Sequence, residues 1–132
     1  MQIFRILILE DDLKTLSVLT DKLFELENNL EDIEISVTIF SEYTQVEDYV
    51  NKSDYRPDLI VLDYDCKLCG SFHALDFNKF DPKKIIAIST QPEYNIKAVK
   101  RGAVECRKDY EKMDEWGGQV FNIIKVIIKK IE

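Results

Sequence analysis

Pro57-Asp58-Leu59-Ile60-Val61-Leu62-Asp63 is an apolar run that stops abruptly on a carboxylate. A short continuous apolar run of this kind reads as a strand covered on both faces, as in a parallel sheet. Working outward, Ile6-Leu7-Ile8-Leu9 ends on Glu10-Asp11-Asp12, and Ile85-Ile86-Ala87-Ile88 ends on Ser89-Thr90. Open α/β sheets bind ligands just outside the carboxyl ends of their strands. Strands finishing in acid, acid and hydroxyl therefore imply one site at one edge of a parallel sheet. Carboxylates gathered without enough balancing positive charge require a cation, and an oxygen-only donor set favours Mg²⁺ or Mn²⁺.

The rest of the chain alternates strand and helix. Gln2–Leu9 is of strand length, and Lys14–Leu26 follows with Leu16, Leu19, Leu23 and Leu26 at helical spacing. Ile33–Phe40 alternates as a strand, and Ser41 offers an N-cap to a short helix carrying Val46, Tyr49 and Val50. After the break at Tyr55-Arg56-Pro57, Asp58–Asp63 is the third strand. Ile85–Ser89, introduced by Asp81-Pro82, is the fourth. Gly70–Asn78, between them, is expected to hold one short helix on Phe72, Leu75 and Phe77. Pro92 opens a helix running to Arg101, with Gly102 at its C-terminal stop. Val104–Arg107 is a short fifth strand. The last helix carries Trp116, Val120, Phe121, Ile124, Ile127, Ile128 and Ile131 at spacings of three and four. Five such alternations predict right-handed βαβ crossovers: an α/β fold, a doubly wound five-stranded parallel sheet with helices on both faces and the third helix short or irregular. The expectation is a single domain over residues 1–132, with no effector domain.

Composition narrows the function. The chain has 132 residues, 45% hydrophobic and 33% charged, enough for one substantial core. Its net charge of −7 argues against a nucleic-acid surface and against binding to anionic membranes. No apolar stretch reaches the roughly 18 residues of a membrane span. Met1-Gln2-Ile3-Phe4-Arg5 lacks a signal peptide's layout, so the expected location is the cytoplasm.

Cys66, Cys69 and Cys106 are an odd count, unlike a secreted disulfide framework. Cys66-Lys67-Leu68-Cys69 has CxxC spacing, but a zinc site needs three or four ligands and only Cys106 is left to add. A redox motif belongs early in a βαβ unit, whereas this one follows a mid-chain strand. The pair reads as ordinary loop cysteines. His73, the one histidine, is assigned no chemistry.

Taken together, the acidic residues suggest phosphoryl chemistry. Asp11 is placed as a direct cation ligand and Glu10 as one acting through water. Asp63 supplies a further oxygen and can act as nucleophile, giving an aspartyl phosphate. A divalent cation absorbs charge on the phosphoryl oxygens. Ser89 is the natural hydroxyl for the remaining oxygens and Lys108 the natural cation.

With these residues in place, the chain resembles a receiver domain of a two-component response regulator, similar to the chemotaxis response regulator over nearly its whole length. The resemblance rests on Ile6–Asp12, Pro57–Asp63, Ile85–Thr90 and Gly102-Ala103, in that order. It implies a flavodoxin-like sheet of order 2-1-3-4-5. It implies that Asp63 receives a phosphoryl group from a sensor histidine kinase or phosphotransfer protein, and that the domain then switches conformation. It implies Mg²⁺ (or Mn²⁺) held by Glu10, Asp11, Asp63 and the backbone carbonyl of Asp65, with Ser89 and Lys108 on the phosphoryl group. Catalysis is then confined to the domain's own phosphorylation and dephosphorylation. The output is a downstream protein or an effector domain outside these residues. A homodimer through the fourth helix (Pro92–Arg101), the fifth strand and the last helix is an expectation of the same kind.

The chain departs from the family in several places. Lys67 stands where proline is usual, and the interval from Asp63 to Ser89 is short. Lys108 lies six residues after Gly102 rather than seven, and precedes Asp109 rather than proline. Glu105 and Cys106 occupy the part of strand five where an aromatic residue is common. Thr90 replaces a small residue, and Asp65 and Gln91 flank the site where hydrolysis is tuned. Three other readings compete. One is a degenerate receiver that binds partners without being phosphorylated. Another is a haloacid-dehalogenase-like phosphatase, whose DxD motif Asp63-Tyr64-Asp65 resembles, although its metal carboxylates come from a later strand. The third is a flavodoxin-like FMN binder, disfavoured because Glu10-Asp11-Asp12 repels phosphate where a phosphate loop is needed.

Overall fold

The computed structural model describes residues 1–64 and 80–131. The helix expected on Gly70–Asn78 lies outside the described residues, as do Asp65, Cys66, Lys67, Cys69 and His73. The strands are β1 (Gln2–Leu9), β2 (Ile33–Phe40), β3 (Leu59–Leu62), β4 (Ile85–Ala87) and β5 (Val104–Glu105). The helices are α1 (Leu13–Asn28), α2 (Tyr43–Val46, running on as a π-helical turn over Glu47–Asn51), α3 (Pro92–Lys100) and α4 (Met113–Ile131). The sheet has the order β2-β1-β3-β4-β5, every pair parallel.

Alternation along the central strands divides the interior into two cores, as strands covered on both sides require. Phe4, Ile6 and Ile8 of β1, Leu59 and Val61 of β3, and Ile86 and Ile88 after them face Val18, Leu19, Leu23 and Leu26 of α1 and Trp116, Val120, Ile124 and Ile128 of α4. The intervening residues Leu7, Leu9, Ile60, Leu62, Ile85 and Ala87 pack against Val46 of α2, Val50 of its π-helical turn and Ala98 of α3. Each fully buried Leu or Ile contributes roughly 1.5–3 kcal/mol, so the two layers dominate the fold's stability. α1 and α4 lie close together. A Cβ added at Gly117 would stand 2.6 Å from Val18 Cγ1.

Local signals set the helix ends. Asp12 caps α1, its side chain accepting from the Thr15 amide. Pro92 begins α3, and Gly102 follows its last turn at φ 109°, a conformation that disfavours any side chain. β5 is shorter than the expected Val104–Arg107. The ladder's hydrogen bonds nonetheless continue past its end, through Cys106 N to Ala87 O (2.9 Å) and Lys108 N to Ile88 O (3.1 Å). A regular parallel ladder would carry the second bond to Ser89 O. The one-residue slip ends the strand early. No helix among the described residues is long and apolar enough to cross a membrane.

Candidate functional site

The three strand ends converge. Backbone bonds fix each residue just past its strand: Glu10 N to Phe40 O at 3.0 Å, Asp63 N to Leu9 O at 2.9 Å, and Ile88 N, one residue before Ser89, to Leu62 O at 2.9 Å. Glu10, Asp11 and Asp63 each offer a carboxylate oxygen within 4.8 Å of the others. Glu10 and Asp63 are buried and Asp11 is half-buried.

Lys108 enters from the segment that continues past β5 and is itself buried. Its Nζ donates to Glu10 Oε1 at 2.6 Å and to Asp63 Oδ2 at 2.9 Å. The other Glu10 oxygen accepts from the amides of Asp11 (2.9 Å) and Asp12 (3.4 Å). Burial, together with the hydrogen bond and the charge of Asp63, pushes the Glu10 carboxyl up to about 8, against the opposing pull of Lys108. Burial alone would lower the Lys108 ammonium's pKa, but the charges of Asp63 and Glu10 outweigh it and raise it above the ordinary lysine value. Among the described residues, one ammonium thus bonds to two buried carboxylates with a third beside them. This all-oxygen donor set fits a hard divalent cation.

Ser89 is buried at the end of β4's extension, and its hydroxyl accepts from the Gln91 amide at 3.2 Å. Asp65, expected to add a backbone carbonyl, lies outside the described residues. Of the cysteines, Cys106 is buried and free, and burial, helped by the Glu105 charge, pushes its thiol up to about 11. Its carbonyl accepts from Trp116 Nε1 at 2.8 Å. Such a thiol is an inert packing residue.

Two residues that the sequence did not single out border the site. Tyr110 Oη lies 3.4 Å from both Lys108 Nζ and Asp12 Oδ2, and its ring centroid is 5.5 Å from the ammonium. The signal for it was its place two residues after Lys108, at the same strand end. Asn95 of α3 is buried and donates to the Ser89 carbonyl at 3.1 Å. Nothing in the sequence distinguished it from an exposed polar residue of an amphipathic helix.

A scan against protein-family models found no match, and a search of curated proteins found none either. Solved structures do match. The Mn²⁺-bound form of the response regulator Rcp1 superposes with a TM-score of 0.61 at 13% identity, over 89% of this chain and 91% of that one. The phosphorylated cyanobacterial phytochrome response regulator RcpA superposes with a TM-score of 0.64 at 19% identity, over 94% and 90%. Strand order, parallel pairing and the covering of both sheet faces agree: this chain has the fold of a response-regulator receiver domain.

Proposed function

We propose that the chain is a phosphoacceptor signalling domain, with Asp63 as the acceptor. The observation that carries this reading is the convergence of Glu10, Asp11, Asp63 and Lys108 at one sheet edge. The donor is a phosphohistidine on a partner kinase or phosphotransfer protein. An Asp63 carboxylate oxygen attacks phosphorus, and the P–N bond to the donor imidazole breaks. Its electron pair stays on the imidazole, which takes up a proton. Hydrolysis of the acyl phosphate later returns the carboxylate and inorganic phosphate.

Glu10, Asp11, Asp63 and the Asp65 carbonyl would hold Mg²⁺ or Mn²⁺, which offsets the charge of the incoming phosphoryl oxygens. The protein's own groups do the rest. Lys108 moves one of its hydrogen bonds from Asp63 to a phosphoryl oxygen, and the Ser89 hydroxyl turns from the Gln91 amide to donate to another. The conformational change at Ser89 is the output, read in the cytoplasm by a downstream protein, an effector domain or a second copy.

The support is the site's donor set and the fold shared with two response regulators, one bound to Mn²⁺ and one phosphorylated. Incubation with acetyl phosphate and Mg²⁺, followed by intact-mass analysis and site mapping, tests the reading. One phosphoryl group on Asp63 is expected, and none in Asp63→Asn. Undiminished labelling of that variant would overturn it, and repeated turnover of p-nitrophenyl phosphate would point to a phosphatase instead.

A further inference from the structure

α3 is weakly held by apolar contact. Its buried residues are Asn95 and Ala98, while Tyr94, Ile96 and Val99 are exposed. Its main attachment on the site side is polar. Asn95 Nδ2 donates to Ser89 O at 3.1 Å and to Glu105 Oε2 at 3.0 Å. Glu105 Oε2 also lies 3.5 Å from Arg107 Nε. With a carbonyl and a carboxylate on one side of the amide, only the NH₂ end can face them, so the amide's orientation is fixed by its partners. Among the described residues, the buried Asn95 Oδ1 has no hydrogen-bond partner.

The backbone explains why Asn95 reaches Ser89. The slip between β4 and β5 sends Lys108 N to Ile88 O and leaves Ser89 O outside the ladder. Asn95 takes that carbonyl, and through the same NH₂ group it takes Glu105 on β5. One side chain therefore joins the end of β4, helix α3 and the surface of β5. An orphaned buried acceptor is a cost that an alternative arrangement can relieve. A helix with few buried apolar groups also moves at low cost.

We infer that Asn95 is a positioning residue: its bonds to Ser89 O and Glu105 Oε2 carry a displacement at the phosphoacceptor end of β4 into α3 and β5. The inference rests on the proposed function, since phosphorylation is what displaces Ser89. Glu105, at the surface of β5, is the handle for testing it without disturbing the core.

The test uses the ¹⁵N-labelled full chain with Mg²⁺ and beryllofluoride, a phosphoryl mimic. In the wild type, amide resonances around Asp63 and those of Tyr94, Ile96 and Glu105 are expected to shift together. In Glu105→Ala the response near Asp63 should keep its apparent affinity within about threefold, while the α3 shifts fall to below about a third of their amplitude. Glu105→Gln keeps an acceptor oxygen and should restore them. Asn95→Ala should repeat the loss.

Full α3 shifts in both alanine variants would overturn the inference and leave the receiver reading standing. Failure of Glu105→Gln to restore them would assign the effect to charge and overturn it as well. A wild type with no beryllofluoride response at all would refute the receiver reading, and the inference with it.

Discussion

Lys108 Nζ lies 2.6 Å from Glu10 Oε1, although 98 residues separate the two in sequence, and both side chains are buried. The same ammonium reaches Asp63 at 2.9 Å. A buried ion pair is costly to break from one side, because the remaining charges are left without compensation. Lys108 thus holds the two carboxylates in the fold.

Lys108→Met should destabilise the protein by about 3–5 kcal/mol in metal-free buffer above about pH 8, where Glu10 is ionised, because Glu10 and Asp63 then lose the ammonium they share. Millimolar Mg²⁺ should recover more stability in this variant than in the wild type. Urea denaturation with and without Mg²⁺ reads both, and equal recovery would contradict a shared site.

Glu10 sets a pH dependence. Its folded pKa is raised to about 8 from an ordinary 4.5, so the folded state binds the proton more tightly than the unfolded chain. The resulting stability is fully present below about pH 4.5 and is lost as pH rises through about 8. Metal-free protein should therefore lose stability across that window, and Glu10→Gln should flatten the slope. Because a proton on Glu10 competes with a cation, Mg²⁺ affinity should rise from about pH 6 to about pH 8.5. Calorimetric titration at the two pH values checks it.

Asp11 is half-buried beside two buried carboxylates. Removing its charge should weaken Mg²⁺ or Mn²⁺ binding about tenfold in Asp11→Asn. Unchanged affinity would place the metal elsewhere.

Gly117 is where α4 meets α1. Gly117→Ala places a methyl group 2.6 Å from Val18 Cγ1, on a side chain with few rotamers. It should cost about 1–3 kcal/mol, measured by chemical denaturation, despite alanine's better helix propensity. Gly118→Ala, with open space around it, serves as the control and should be neutral or stabilising.

What could be read from the sequence follows from burial. Leu59–Leu62 and Ile6–Leu9 are apolar throughout because each lies between two layers, so their existence and their ends on Asp63 and Glu10 were visible. The extent of β5 was not, since the slip that ends it depends on pairing with β4. The spacing from Gly102 left Lys108 ambiguous, and only the packed strand shows that its ammonium meets Asp63. Asn95 was illegible for a similar reason. Its partners lie six and ten residues away on other elements, and no local pattern marks an amide that binds both.

β1 is an inner strand, flanked by β2 on one side and β3 on the other. During synthesis its second flank stays bare until the ribosome has released residues 59–62, more than fifty positions downstream. A nascent chain therefore carries Ile6–Leu9 as an open, sticky template through much of its translation. Truncations that stop before Leu59 should precipitate rather than persist as soluble fragments. Slow emergence of the middle of the chain becomes the hazard against which cellular holdases would act.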